Sequence, residues 1–347
     1  MSIQLLDLQG QCIPVKFIEF SGGERHVQIE ADTLQSLPNS VKVFAKIRHS
    51  ADLLDYLLLE NILLEQGLNI DVEMPYFPYA RQDRRCAIGQ AFSLDLMTRL
   101  LNSNVAQHDA QRRSISIWDA HSAVSTRLLK QNTQFNQVIL RTPAQIMQCS
   151  PELIGLLADE DTVLICPDAG AIPRTQTIAQ TFATSATQAL AIVYCEKKRD
   201  PVTGRIIATQ VNTSDLSGKT ALITDDICDG GATFIAIAQQ LRALNCQRIV
   251  LYVSHGIFSR GLAVFDGLID QIFCSDSIAQ QAHTKLTVIQ ASAMFNSADR
   301  NSPSNNPSSS PDNIPINSND INDLNSVDNS SSNILNSTNN DNKGILL

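Results

Sequence analysis

The chain has 347 residues, 43% hydrophobic and 18% charged, which gives room for two ordinary domains with a core in each. Its net charge of −9 excludes a broad surface for nucleic acid or anionic membrane, so phosphates must be held by local clusters of Lys and Arg. Eight scattered cysteines contain no C-x-x-C pair, which excludes zinc and redox motifs. With no basic signal region at Met1–Asp7 and no apolar run of membrane length, the expectation is a cytoplasmic protein.

In chain order, Phe20-Ser21-Gly22-Gly23-Glu24 reads only as a turn. Apolar runs predict strands at 41–47, 70–74, 115–118 and 138–140, with helical spacing at 53–66 and 92–101. A second series follows, with strands at 162–166, 189–194, 221–224, 248–253 and 271–274 and helices at 144–157, 175–182 and 235–244. Short apolar strands separated by helices predict an α/β fold with parallel sheets. Because the series runs twice, a boundary is expected after 142, giving domains at 1–142 and 143–293. The segment 294–347 is rich in Asn and Ser and is expected to be a disordered tail carrying no chemistry, so deletion after Ala293 is expected to leave activity intact.

Ligands of parallel sheets bind beyond the carboxyl ends of the strands, and five segments stand there. Pro75-Tyr76-Phe77-Pro78-Tyr79-Ala80-Arg81-Gln82-Asp83-Arg84-Arg85 follows the strand 70–74, with arginines to hold a polyphosphate and aromatics to stack a flat base. Asp119-Ala120-His121 supplies a carboxylate and an imidazole for a metal or a proton, although taken alone a hydrogen-bonded histidine under a loop is the more ordinary reading. Pro167-Asp168-Ala169-Gly170-Ala171 is a turn whose amides suit a phosphate, with Asp168 near its cation. Glu196-Lys197-Lys198-Arg199-Asp200 opens a loop able to close over a charged centre, or else forms a surface charge run. Asp225-Asp226-Ile227-Cys228-Asp229-Gly230-Gly231-Ala232-Thr233 is the most telling: an acidic, glycine-bearing turn between a strand and a helix. It suits a phosphate monoester at the helix N-terminus and sugar hydroxyls on the paired carboxylates. The Walker lysine and the Gly-x-Gly-x-x-Gly spacing are both missing, so the turn suggests a phosphorylated sugar before a whole nucleotide.

Together and in this order, these segments resemble the ribose-phosphate pyrophosphokinase, or phosphoribosyl pyrophosphate (PRPP) synthetase, family over about residues 15–290. The resemblance implies two duplicated type I phosphoribosyltransferase-like domains with the active site between them. It also implies conversion of ATP and ribose 5-phosphate to PRPP and AMP with Mg²⁺. By position, Arg81, Gln82, Asp83 and Arg84 would sit at ATP, while Phe20 and Glu24 would reach the adenine of a neighbouring subunit in a homo-oligomer. His121 and Asp168 would hold Mg²⁺, and Lys197 and Arg199 would be the catalytic cations. Asp225 and Asp226 would face the ribose hydroxyls, and Asp229, Gly230, Gly231, Ala232 and Thr233 would wrap the 5-phosphate. Three departures stand out: Gly22 where better-known members carry Asp, Cys86-Ala87-Ile88-Gly89 in a loop that is usually more basic, and Gly230 and Ala232 where many carry Thr and Gly. A PRPP-consuming phosphoribosyltransferase shares the Asp225–Thr233 turn but needs neither the arginine run nor a duplicated domain. A non-catalytic regulatory relative would be expected to lose the cations or metal ligands retained here.

Overall fold

The computed structural model describes residues 2–104, 112–183, 190–199 and 206–298. Residues 1–300 form one compact unit built on two sheets. The first sheet runs β2 (Cys12–Ile13), β1 (Ile3–Leu6), β5 (Ser40–Ala45), β6 (Asn69–Met74), β7 (Arg113–Trp118), β8 (Gln137–Arg141), while β3 (Lys16–Glu19) and β4 (Arg25–Gln28) form a separate hairpin. Strands β5 to β8 are parallel, and β1 and β2 extend the edge antiparallel.

The second sheet runs β11 (Ile206–Val211), β10 (Ile192–Arg199), β9 (Thr162–Cys166), β12 (Thr220–Cys228), β13 (Arg248–Gly256), β14 (Gln271–Ser275), β15 (Leu286–Ile289). All neighbours are parallel except β10 and β11. The helices are α1 (Ala31–Gln35), α2 (Ser50–Glu65), α3 (Ser93–Leu100), α4 (Ala123–Asn132), α5 (Pro143–Met147), α6 (Pro151–Leu157), α7 (Ile172–Thr181), α8 (Ala232–Ala243) and α9 (Ala291–Ala298).

The parallel strands are covered on both faces, which is why they read as continuous apolar runs such as Thr162–Cys166 and why their periodicity carries little signal. One apolar cluster includes Leu6, Phe44 and Trp118 from the first sheet and Leu164, Leu222, Tyr252 and Phe273 from the second. The two sheets therefore share a buried layer, which fixes the strand ends of one against those of the other.

Four differences from the sequence reading have physical causes. The helix expected over 144–157 is two helices, because Pro151 cannot continue the first and Ser150 caps the second through Leu153 N–H. The strand expected to stop at 194 continues to Arg199 as an edge arm paired with β11, so Lys197 and Arg199 lie on a strand opposite Thr209 and Ile206, not on an open loop. The short edge strands β1, β2 and β15 carry too few residues for alternation to single them out. Finally, the tail expected from 294 starts later, since α9 runs to Ala298 and Phe295 packs edge-on against Trp118, with ring centroids 5.2 Å apart, beneath the Arg141 guanidinium. The rest of that segment lies outside the described residues. Among the described residues no helix is long and apolar enough to cross a membrane.

Candidate active site

The expected segments gather where strands end. Strand β7 delivers Asp119 to His121, β9 delivers Asp168, and β12 runs on through Asp225 and Asp226 into the glycine turn before α8. The loop after β6 carries Arg81 to Arg84. These are carboxyl ends of parallel strands, where backbone N–H groups and helix N-termini face outward.

The glycine turn has a definite stereochemistry. Gly231 is left-handed (φ 78°) and caps α8, and a Cβ there would lie 2.6 Å from Phe265 Cζ. Only glycine meets both demands. Ala232 is the first helical residue, so its methyl group is accommodated without strain. Turn and neighbouring loop are stitched together by Ile257 N–H and Phe258 N–H donating to Cys228 O and by Ser259 N–H donating to Asp229 O. Asp225 to Ile227 and Asp229 to Thr233, with Arg81, His121 and Arg260, line a cavity of about 480 Å³.

The carboxylates around it differ sharply in environment. Arg174, on α7, reaches Asp119 Oδ1 at 3.1 Å, Asp225 Oδ1 at 3.5 Å and Asp226 Oδ1 at 3.8 Å. His121 Nδ1 lies 2.6 Å from Asp226 Oδ2. Burial pushes Asp225 up to about 8, and the Asp226 charge adds to that push. Burial also resists ionisation of Asp226, yet the hydrogen bond from His121 and the Arg174 charge prevail and hold it well below the usual carboxylate range. The hydrogen bond to Asp226 raises His121. The two adjacent aspartates therefore offer different chemistry, one a firm anion and one able to carry a proton near neutrality.

Asp119 does not face the cavity. It is buried at a strained positive φ of 34°, takes a hydrogen bond of 2.5 Å from Ser254 Oγ, and is raised by burial. The metal-ligand reading of Asp119 beside His121 thus gives way to a structural one, with Asp119 backing Arg174.

A second cavity of about 770 Å³ adjoins the first and shares His121, Asp225 and Asp226; Arg84, Asp168 and Arg174 also line it, with Cys195 and Glu196 from β10. The Asp168 side chain caps its own turn by accepting from Ala171 N–H at 3.2 Å. The side chains of Lys197 and Arg199 fall outside the described part of the structure.

The arginine run is divided among three cavities. Arg81 Nη1 pairs with Asp229 Oδ2 at 2.8 Å, Arg84 lines the second cavity, and Gln82 lines a third, of about 630 Å³, with Tyr76, Tyr79 and Arg48. Asp83 accepts from Ser122 Oγ at 2.8 Å, which ties this loop to the one carrying His121. Phe20 and Glu24 stand exposed at the tip of the β3–β4 hairpin and line none of these cavities. Sequence reasoning missed Arg174, Arg260 and Ser254. Arg174 sits in an unremarkable helix start, and only its place six residues after Asp168 could have drawn attention.

Comparison with known proteins agrees with this geometry. A profile of the phosphoribosyl transferase domain matches residues 137–264. The ribose-phosphate pyrophosphokinase of Mycoplasma pneumoniae is 29% identical over 273 residues, covering 76% of this chain and 75% of that protein. That of Thermococcus kodakarensis is 25% identical over 264 residues, covering 74% and 83%.

Over about three quarters of its length the chain is similar to ribose-phosphate pyrophosphokinases. The crystal structure of phosphoribosylpyrophosphate synthetase from Mycobacterium smegmatis shares the fold, with a TM-score of 0.66 at 20% identity over 83% of this chain and 90% of that one. The family profile falls on the half carrying the glycine turn, whereas the arginine run belongs to the half before it.

Proposed function

We propose that this chain transfers the β,γ-diphosphoryl group of ATP to the 1-hydroxyl of ribose 5-phosphate, giving PRPP and AMP. The observation that carries the proposal is the Arg81–Asp229 contact, through which a phosphate-binding loop of the first sheet meets the sugar-phosphate turn of the second at one cleft. A simple phosphoribosyltransferase has no need of that meeting.

In this reading Asp229 to Thr233 and the α8 N-terminus bind the 5-phosphate, and Asp225 and Asp226 bind the ribose hydroxyls. Asp226, held ionised, accepts hydrogen bonds; Asp225, raised to about 8, can donate one as well. The anomeric oxygen attacks the β-phosphorus, its bond to AMP oxygen breaks in line, and the hydroxyl proton leaves to solvent or a carboxylate. Arg81, Gln82, Asp83 and Arg84 orient the triphosphate, and Lys197 and Arg199 on the β10–β11 arm stabilise charge on the transferring group. Positioning and cationic stabilisation are the main sources of rate in such transfers.

His121 and Asp168 would hold Mg²⁺. The donor set fits, because Asp168, Asp225 and Asp226 offer hard oxygen atoms around one cavity. Among the described residues no group of three His, Cys, Asp or Glu forms a ready cage, as expected where substrate phosphates complete the coordination. When bound, Mg²⁺ neutralises phosphate charge and aligns the diphosphate. In this reading Phe20 and Glu24, exposed on their hairpin, reach the adenine of a neighbouring copy in a homo-oligomer.

The test mixes purified protein with ATP, ribose 5-phosphate and Mg²⁺ and follows AMP and PRPP. Equal amounts of both are expected. Normal binding of either ligand without AMP would replace this reading with that of a regulatory relative.

A further inference from the structure

A buried chain of polar groups lies behind the sugar cavity and touches no expected substrate. Tyr252 and Ser254 are hydrogen-bonded at 3.0 Å, Ser254 donates to Asp119, and Asp119 accepts from Arg174 Nε at 3.1 Å. Beyond Arg174 stand Asp225 and Asp226, the carboxylates at the cavity wall. Tyr252, Ser254 and Asp119 are nearly inaccessible, and Asp119 is held at a backbone conformation that costs energy. Strain of this kind persists only where the surroundings over-determine it.

The guanidinium geometry explains what the chain accomplishes. Nε is committed to Asp119, which leaves Nη1 directed at the sugar carboxylates, 3.5 Å from one and 3.8 Å from the other. A planar fork fixed at one edge presents its other donors in a set direction, which an ammonium cannot do. Asp226 N–H also donates to Asp225 Oδ1 at 2.9 Å and His121 holds Asp226, so Arg174 adds a contact that spans both carboxylates.

We propose that Arg174, braced by Asp119 and Ser254, is the positioning residue that sets the two aspartate carboxylates for the ribose hydroxyls and so makes the site selective for a 2-hydroxylated sugar phosphate. It rests on the reading of Asp225 and Asp226 as the sugar-hydroxyl residues. Arg174 itself need not touch substrate. Its effect is on which pentose phosphate is accepted, because a site built to hydrogen-bond a hydroxyl rejects the analogue lacking it.

The experiment compares ribose 5-phosphate with 2-deoxyribose 5-phosphate in the full chain and in Arg174→Gln, Arg174→Lys and Ser254→Ala. For Arg174→Gln, KM for ribose 5-phosphate should rise about 30-fold, the loss expected for a hydrogen bond to a charged group, with KM for ATP within about twofold. The preference for ribose over 2-deoxyribose should collapse toward unity. Arg174→Lys should recover part of the affinity but little of the preference, since it restores charge without the fork. An equal loss toward ATP and both sugars in Arg174→Gln marks a merely structural role and overturns the proposal. If Arg174→Gln does not fold, Ser254→Ala decides: a measurable fall in the preference supports the clamp, and an unchanged preference in a folded protein overturns it. Calorimetric titration with the two sugar phosphates reads the same contrast without turnover. A wild-type chain that binds and discriminates the sugars but forms no AMP therefore sinks the proposed reaction while leaving this assignment in place.

Discussion

Arg81 Nη1 lies 2.8 Å from Asp229 Oδ2, joining residues 148 positions apart in the chain, one on the loop after β6 and the other on the turn before α8. Both side chains are close to half exposed, at 46% and 39%, so the pair contributes little to stability, about 0–1 kcal/mol. Its importance is geometric, because each partner is a candidate phosphate or sugar contact. Arg81→Gln should therefore leave the denaturation midpoint almost unchanged while kcat/KM for ATP falls at least about 30-fold. Urea melts and steady-state kinetics on one preparation check both halves.

Gly231 offers a sharper stereochemical test. With φ at 78° and Phe265 in the space a Cβ would take, Gly231→Ala meets left-handed strain of about 1–2 kcal/mol plus a clash. Thermal melting should show the loss, and ribose 5-phosphate affinity should fall with it because the turn must move. Ala232→Gly, one residue on, should keep the affinity and lower stability by at most about 1 kcal/mol.

His255 predicts a pH dependence of stability. It is buried, and its Nε2 lies 3.2 Å from the Trp118 carbonyl, which can only accept, so Nε2 carries the proton and Nδ1 accepts from Ser277. Burial lowers its pKa below 6.5 and outweighs the attraction of Asp119 and Asp226. Below 6.5 the unfolded chain binds a proton that the folded chain refuses. Stability from this group is thus complete above 6.5 and is lost as pH falls toward the depressed folded value, at no more than about 1.4 kcal/mol per pH unit. His255→Gln should flatten that limb; a melting curve whose acid slope is unchanged in the variant would refute the assignment.

Phe295 anchors the last described helix on Trp118. Phe295→Ala should cost about 3 kcal/mol, at the lower end for buried Phe, since one face meets the Arg141 guanidinium. Truncation after Ala293, expected from composition to be harmless, should destabilise the chain equally. Removal of 301–347 is the control and should change neither stability nor turnover.

Lys197→Ala should lower turnover at least 10²-fold, the scale of one preorganised charge worth roughly 3 kcal/mol. Its backbone pairs with Thr209 in the β10–β11 arm, so the fold should survive the change. Near-normal turnover would remove Lys197 from the mechanism and direct attention to Glu196 and Cys195, which line the second cavity.

Much of this was legible before the structure. The central parallel strands of both sheets could be read because buried parallel strands are apolar throughout, and the glycine turn because acidic and glycine residues between an apolar strand and a helix stand out locally. Pro151 was legible too, yet the uninterrupted apolar spacing around it masked the break between α5 and α6. The antiparallel arm was hidden for the opposite reason, since Glu196, Lys197, Lys198 and Arg199 give a charged run that reads as a loop although its backbone is paired.

The sequence by itself determined which segments are the candidates for sugar phosphate and polyphosphate, because that candidacy rests on local chemistry: Asp225 to Thr233 at a strand end and Arg81 to Arg84 at another. Only the tertiary structure decided how they are shared out. It turned Asp119 inward to brace Arg174, separated the protonation of Asp225 from that of Asp226, and sent Arg81 and Gln82 into different cavities. Those outcomes depend on burial and on distances between residues far apart in the chain, and the energy of a charge is set by what surrounds it, not by its neighbours in sequence.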